Sequence, residues 1–497
     1  MQAPATAATF PFDNTYARLP EGFHFRLAPT PVKAPRLIAL NRPLAEELGL
    51  ELDGLSDDDI AEIFAGNRLP GGAEPLAMAY AGHQFGGFVP QLGDGRAHLL
   101  GEVVDSKGRR RDIQLKGSGR TPFSRGGDGR AALGPVLREY LLSEAVHALG
   151  IPTTRSLAAV LTGEPVYRED VLPGAVLTRV AESHVRVGTF QFFAARGDEP
   201  AIKRLADYVI ERHYPELQAS EQPYPALLEA ILDRQAALVT RWLMVGFIHG
   251  VMNTDNTSIV AETIDFGPCA FMDSFDPMTW FSSVDDFGRY AFANQPAIAQ
   301  WNLARLAEAM LPLLAEDTEA AIDKANAIIE TFEGRFSRHW LEGMRQKIGL
   351  ATEEEADRSL IAGLLDAMHK GRADFTLTFR RLADALEDEA QTTRLRELFA
   401  EREPFDQWEK AWRERTGRET TPPAERARLM RRVSPAIIPR NHQVEKVLEA
   451  AIERGNFTPF ERLHAALATP YEENARTAAY ADPPEPSDIP YRTFCGT

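Results

Sequence analysis

The 497-residue sequence predicts an α+β fold of two lobes with a largely helical C-terminal extension. Gly-dense text followed by alternating apolar segments fills residues 80–116, the pattern of turns and strands. Apolar residues recur at helical spacing over Leu133–Ala148 and over Ala226–Phe247. Beyond Asp276-Pro277 nearly everything is amphipathic helix, including Ile298–Met310, Glu319–Phe332 and Leu360–Met368. A chain of this length exceeds the size at which a single core stops growing, which is why more than one lobe is expected.

In chain order, residues 1–75 read as an N-terminal wrap with one amphipathic helix near Leu44–Leu50. Residues 76–190 form the first lobe. There Gly93-Asp94-Gly95-Arg96 is a turn feeding a strand over Ala97–Val104. Asp112-Ile113-Gln114-Leu115-Lys116 alternates, so Ile113 and Leu115 face one side and Gln114 and Lys116 the other. Lys116 thus points toward a cleft, an ordinary edge-strand lysine being the alternative. A second Gly-rich loop, Gly117–Gly129, precedes a helix that carries Glu139 and ends at Gly150-Ile151-Pro152, and Ala175–Val180 is a further strand. Residues 191–280 open the second lobe with the helix Ala226–Phe247, which delivers the chain into a loop around Asp255; residues 281–497 complete it and the extension. The most apolar window, Ala236–Met252, reads as a buried helix; it contains Arg241 and His249 and is too short to cross a bilayer. Glu401–Pro404 and Thr420–Pro423 read as loops, and there are no repeats and no long linker.

A net charge of -17 argues against general affinity for nucleic acid or anionic membrane. Met1–Phe12 lacks a basic n-region and a continuous apolar stretch, so a cytoplasmic location is expected. Two cysteines, Cys269 and Cys495, exclude a disulfide scaffold and a cysteine zinc cluster.

Lys116, then His249-Gly250-Val251-Met252-Asn253-Thr254-Asp255-Asn256, then Ile264-Asp265-Phe266-Gly267 is the order in which a kinase-type cleft presents its phosphate and metal ligands. Adjacent Asp255 and Asn256 depart from ordinary protein kinases, which separate the two roles by several positions. Gly93 and Gly95, with Arg96 beside them, would let backbone amides approach phosphate oxygens, although such a turn alone is more often a hairpin. Asp128 and Gly129 supply a second loop, and Glu139 is the candidate partner of Lys116, a solvated helix face being its alternative. Arg179 and Arg186 offer planar, permanently charged forks for phosphate. A pocket this cationic grips the terminal phosphates, stabilises pyrophosphate as a leaving group and leaves the α-phosphorus open to attack. Asn256 and Asp265 are hard oxygen donors of the kind magnesium takes, with manganese as the alternative ion. Asp255 is the candidate general base.

These strings resemble the selenoprotein O family, the SelO or YdiU-type protein adenylyltransferases. The likeness rests on Phe12-Asp13-Asn14, Tyr80-Ala81-Gly82-His83-Gln84-Phe85-Gly86, the run from Gln114 to Arg125, His249–Asn256, Asp265-Phe266-Gly267-Pro268, Tyr290–Pro296 and Phe494-Cys495-Gly496-Thr497. The resemblance implies a protein-kinase-like fold that binds ATP in a flipped orientation and moves AMP onto Ser, Thr or Tyr hydroxyls of proteins. It implies nucleotide binding by Gly93, Gly95, Arg96, Lys116, Asp128, Gly129, Arg179, Arg186 and Asp265. It further implies magnesium at Asn256 and Asp265, Asp255 as proton acceptor, and Glu139 as the group that positions Lys116. A conventional kinase and a catalytically silent ATP-binding scaffold are the competing readings. Cys495 stands where selenocysteine-bearing members carry that residue. Cys269 and Cys495 are a candidate reversible redox pair if the tail folds back; a buried structural Cys269 with an incidental tail thiol stands as the equal alternative.

Overall fold

The computed structural model describes residues 10–485 and 491–493. It contains an eight-stranded sheet in which each strand pair is antiparallel. The strands are β1 (His24–Arg26), β2 (Arg36–Leu40), β3 (Leu76–Met78), β6 (Ala97–Val104), β7 (Arg110–Lys116), β8 (Ala131–Ala132), β9 (Arg155–Tyr167) and β10 (Val171–Ala181), while β4 (Gly82–Gln84) and β5 (Gly87–Val89) form a separate hairpin. The order β1-β3-β6-β7-β10-β9-β2 puts strands of the N-terminal segment at both edges and β7 in the middle, so Lys116 is no edge-strand lysine.

The alternation expected along β7 divides the sheet's two faces. Ile113 and Leu115 join Leu100, Val160 and Val176 under α1 (Arg42–Glu47) and α2 (Asp57–Phe64), in a core packed between that face and the helices. The other face, which carries Gln114 and Lys116, receives α3 (Leu133–Ala148). Residues opposite one another on neighbouring strands share a face; Gln114 lies opposite Arg179, so strand register alone brings Arg179 alongside Lys116.

Helix α3 is buried on nearly every side, which removes the solvated-face alternative for Glu139: it is 6% exposed. The sheet covers one side, and the helices Asn441–Arg454 and Thr458–Leu467 of the C-terminal extension cover another. Arg138, next to Glu139, donates to the carbonyls of Gly267 (3.2 Å) and Cys269 (2.8 Å) and to Glu445 (3.0 Å), fastening α3 to both.

After the sheet come α4 (Val187–Ala194), α5 (Glu199–His213) and α6 (Pro223–Met244). Here the expected helix over Ala236–Met252 is corrected. Helix α6 stops at Met244, Gly246 takes a left-handed φ of 73°, and Phe247–Ile248 is β11, paired with β12 (Ala270–Phe271). The window is apolar because it is buried, and apolarity alone does not distinguish a helix from a strand. Helix α7 (Gln295–Leu314) follows, then ten further helices between Thr318 and Ala478, of which those within residues 332–433 surround a second core that includes Phe375, Phe379 and Trp412. The loops expected at Glu401–Pro404 and Thr420–Pro423 do separate helices but end early, because Glu403–Thr416 and Pro423–Val433 are helical, with proline in the first turn of each, where its missing N–H costs nothing. Helix α1 starts earlier than expected because Asn41 caps it, accepting from Leu44 N at 3.2 Å.

Candidate active site

A cleft of about 530 Å³ opens between the sheet, α3 and the loop around Asp255. Gly93, Gly95, Arg96, Lys116, Asp128, Gly129, Glu139, Arg179, Arg186, Asp255, Asn256 and Asp265 all line it. Residues spread over more than 170 positions of sequence thus share one cavity.

Its floor is a knot of charge. Lys116 Nζ donates to Glu139 Oε2 and to Asp265 Oδ1, both at 2.6 Å. Arg179 donates to Asp265 Oδ1 at 2.6 Å, to Glu139 Oε1 at 3.3 Å and to Gln114 Oε1 at 2.7 Å. Arg186 donates to Asp265 Oδ2 at 2.9 Å and to the Asp255 carbonyl at 2.6 Å, its guanidinium 4.6 Å from the Tyr80 ring centre. Burial opposes ionisation of Asp265, but Lys116, Arg179 and Arg186 overcome it and hold the carboxyl well below the usual range. Lys116, Arg179 and Arg186 face Glu139 and Asp265 here, with Asp94 behind Gln114 and Asp255 beside Arg186, and the three cations suit a polyanion. Asp265 itself adopts a left-handed φ of 66°, a strained conformation of the kind that clusters at functional sites.

The two Gly-rich loops interlock. Thr121 Oγ1 donates to the Asp94 carbonyl at 2.7 Å and Ser124 Oγ donates to that of Gly95. A Cβ on Gly93 would lie 2.2 Å from the Phe123 ring, and one on Gly95 would lie 2.8 Å from the Phe123 carbonyl. Both glycines are therefore required by loop-on-loop packing, before any ligand is considered. Asp128 stands apart from the floor, at the rim, paired with Arg168 at 2.8 Å.

Asp255 is 7% exposed. Its Oδ2 accepts from Gln84 Nε2 at 3.1 Å, while Oδ1 is buried with no hydrogen-bond partner among the described residues, packed where a Cβ on Gly82 would come within 2.5 Å. Burial therefore pushes its carboxyl up to about 6, against the Gln84 hydrogen bond and Arg186. The β4–β5 hairpin fixes the whole loop. His83 N donates to Thr254 Oγ1 at 2.6 Å, and Phe85 N to Asn253 Oδ1 at 3.0 Å. Asn256 Nδ2 donates to the Val251 carbonyl at 3.0 Å, which leaves its carbonyl oxygen outside the described hydrogen bonds. That oxygen and the Asp265 carboxylate are donors of the hard kind magnesium takes, although both Asp265 oxygens here accept from Lys116, Arg179 and Arg186; among the described residues no group of three or more His, Cys, Asp or Glu could hold a metal ion.

Gln84, Gln114, Tyr80 and Arg168 were not singled out by their chemistry in the sequence. Gln114 was within reach, since it shares Lys116's face by alternation, whereas nothing local marks Gln84 as a neighbour of a residue 171 positions away. Of the candidate redox pair, Cys495 lies outside the described residues. Cys269 is buried, its thiol donates to the Phe266 carbonyl at 3.4 Å, and burial pushes it up to about 12. Thr493 donates to the Pro268 carbonyl at 2.6 Å.

The chain matches the family described as Protein adenylyltransferase SelO over residues 6–468. It is 62% identical over 497 residues to the Protein nucleotidyltransferase YdiU of Rhizobium leguminosarum bv. trifolii, covering 100% of this chain and 99% of that protein. It is 63% identical over 488 residues to the protein of the same name from Rhizobium meliloti, and 62% identical over 488 residues to that of a Bradyrhizobium species, covering 98% of this chain and 99% of the relative in both cases. A match of that length and identity leaves one assignment: the chain belongs to the SelO family of protein adenylyltransferases and is a nucleotidyltransferase.

Proposed function

We propose that the cleft binds ATP with its terminal phosphates on the Lys116, Arg179 and Arg186 floor and transfers AMP to Ser, Thr or Tyr hydroxyls of proteins, in a kinase-like two-lobed fold. The observation that carries this reading is the convergence of three cations on Asp265, with the buried Asp255 joined to the same cluster through Arg186. The strand lysine, the glutamate on the following helix and the antiparallel sheet support the kinase-like architecture.

The acceptor oxygen attacks the α-phosphorus as the bond from that phosphorus to the α,β-bridging oxygen breaks. Pyrophosphate departs with the bonding electrons, and the hydroxyl proton passes to Asp255. The floor lowers the barrier because its charge is already arranged where pyrophosphate develops negative charge. Asn256 and Asp265 would hold magnesium, or manganese in its place, which supplies further neutralisation of phosphate charge. Gln84 positions Asp255, and Glu139 positions Lys116. Arg96, Gly93, Gly95, Asp128 and Gly129 form the nucleotide's outer wall. A cytoplasmic location and a reversible Cys269–Cys495 latch belong to the same reading; peptide mapping under oxidant tests the latch.

The decisive experiment supplies α-labelled or γ-labelled ATP in parallel with a cell extract. Label retained in protein from the α-phosphate alone is expected. Label from the γ-phosphate would establish a conventional kinase instead, and label from neither a silent scaffold.

A further inference from the structure

Twelve large apolar side chains stand exposed among the described residues, and five of them, Phe85, Phe88, Met278, Val284 and Phe287, fall in two short segments that meet beside Asp255. Phe287 is 94% exposed. One segment is the β4–β5 hairpin, the other the loop that runs from Met278 to Tyr290. They meet where the Phe85 and Tyr290 rings lie 5.3 Å apart and where the Arg289 guanidinium carbon comes within 3.7 Å of a Cβ built on Gly86. Phe85 and Val284 line the same cleft as Asp255, so the apolar shelf continues the cleft outward.

Arg289 adds a charge to this shelf. Its guanidinium lies 4.9 Å from the Trp301 ring centre and 5.7 Å from that of Tyr290. Among the described residues no carboxylate pairs with it, and its Nε is buried with no hydrogen-bond partner. The three arginine and lysine cations of the cleft floor all have carboxylate partners. A partly desolvated guanidinium gains something from aromatic faces, but its full return comes from an anion. ATP does not need this surface, because its phosphates belong with the floor cations deeper in the cleft; a macromolecular acceptor does.

We propose that the shelf docks the acceptor protein as an extended segment. Its hydroxyl reaches Asp255, an apolar side chain beside that hydroxyl packs on Val284 and Phe287, and a carboxylate side chain pairs with Arg289. The proposal rests on the reading of the cleft as an AMP transferase.

The test compares the wild-type chain with Phe287→Asp and Arg289→Glu, using α-labelled ATP and the proteins of a cell extract, followed by mapping of the modified hydroxyls. Apolar and acidic residues should be enriched next to mapped sites. Both variants should label about tenfold less at unchanged KM for ATP, the unchanged KM showing that they are folded. Synthetic peptides copied from mapped sites, with the acidic residue replaced by lysine, should be poor acceptors for the wild type and regain transfer with Arg289→Glu. Labelling within about twofold of wild type by both variants, or mapped sites with no such enrichment, overturns the proposal. So does Phe287→Asp converting a dimer to a monomer in sedimentation with labelling unchanged, which would make the shelf a face for a second copy. Absence of α-label transfer by the wild type is a different failure, that of the cleft reading itself.

Discussion

Asp255 and Lys347 are both buried ionisable groups, and the structure treats them in opposite ways. Asp255 has a hydrogen-bond donor, Gln84, on one oxygen and none on the other. Removing Gln84 frees the carboxylate to rotate off the acceptor, and small misplacements of a reacting group are costly. Gln84→Ala should lower kcat about tenfold while KM for ATP stays unchanged, read from steady-state transfer over a range of ATP concentrations. Equal loss of ATP affinity would make Gln84 part of the nucleotide site instead. Lys347 is 1% exposed, with its ammonium 4.1 Å from the Phe379 ring centre, and burial pulls it down to about 7. Its unfolded value lies near 10.4. Between those values the unfolded chain binds more protons than the folded one, so this residue's destabilising effect is full below about pH 7 and fades as pH rises toward 10. Lys347→Met should raise stability by about 2 kcal/mol near pH 6 and by much less near pH 10, checked by urea unfolding at both. A pH-independent gain would mean that Lys347 keeps its ordinary value in the folded chain.

At the scale of elements, α3 is the beam on which the site hangs. It presents Glu139 to Lys116 and, one residue earlier, Arg138 to the turn after Asp265. A buried arginine whose removal would strand two carbonyl acceptors is costly to lose. Arg138→Ala should destabilise the chain by about 3 kcal/mol and slow AMP transfer as the Asp265 segment loosens, measured by denaturant unfolding and by turnover on one preparation. Loss of stability with turnover intact would show that the segment is held from elsewhere.

For the whole molecule, the C-terminal helices are not an appendage, because Asn441–Arg454 and Thr458–Leu467 bury a face of α3 that includes Tyr140, whose ring centre lies 5.8 Å from that of Phe460. A chain ending at Ser434 would leave that face bare. It is expected to aggregate or to lose ATP binding, as read by sedimentation and calorimetry; a soluble, ATP-binding truncation would show that the first lobe stands alone.

What the sequence by itself determined is local and periodic. Alternation over Asp112–Lys116 sorted the faces of β7, helical spacing found α3, the order of Lys116, Asp255, Asn256 and Asp265 marked residues that share one cleft, and the long strings around them marked the family. Tertiary structure alone decided the rest. The end of α6 at Met244, the proline-led starts of two helices, Gln84 on Asp255, and Phe123 against the glycines of the first loop depend on partners distant in the chain. Side-chain periodicity encodes which face is buried, but not what buries it, and an Asp255 oxygen or an Arg289 Nε that is buried without a partner among the described residues exists only once the chain has closed around it.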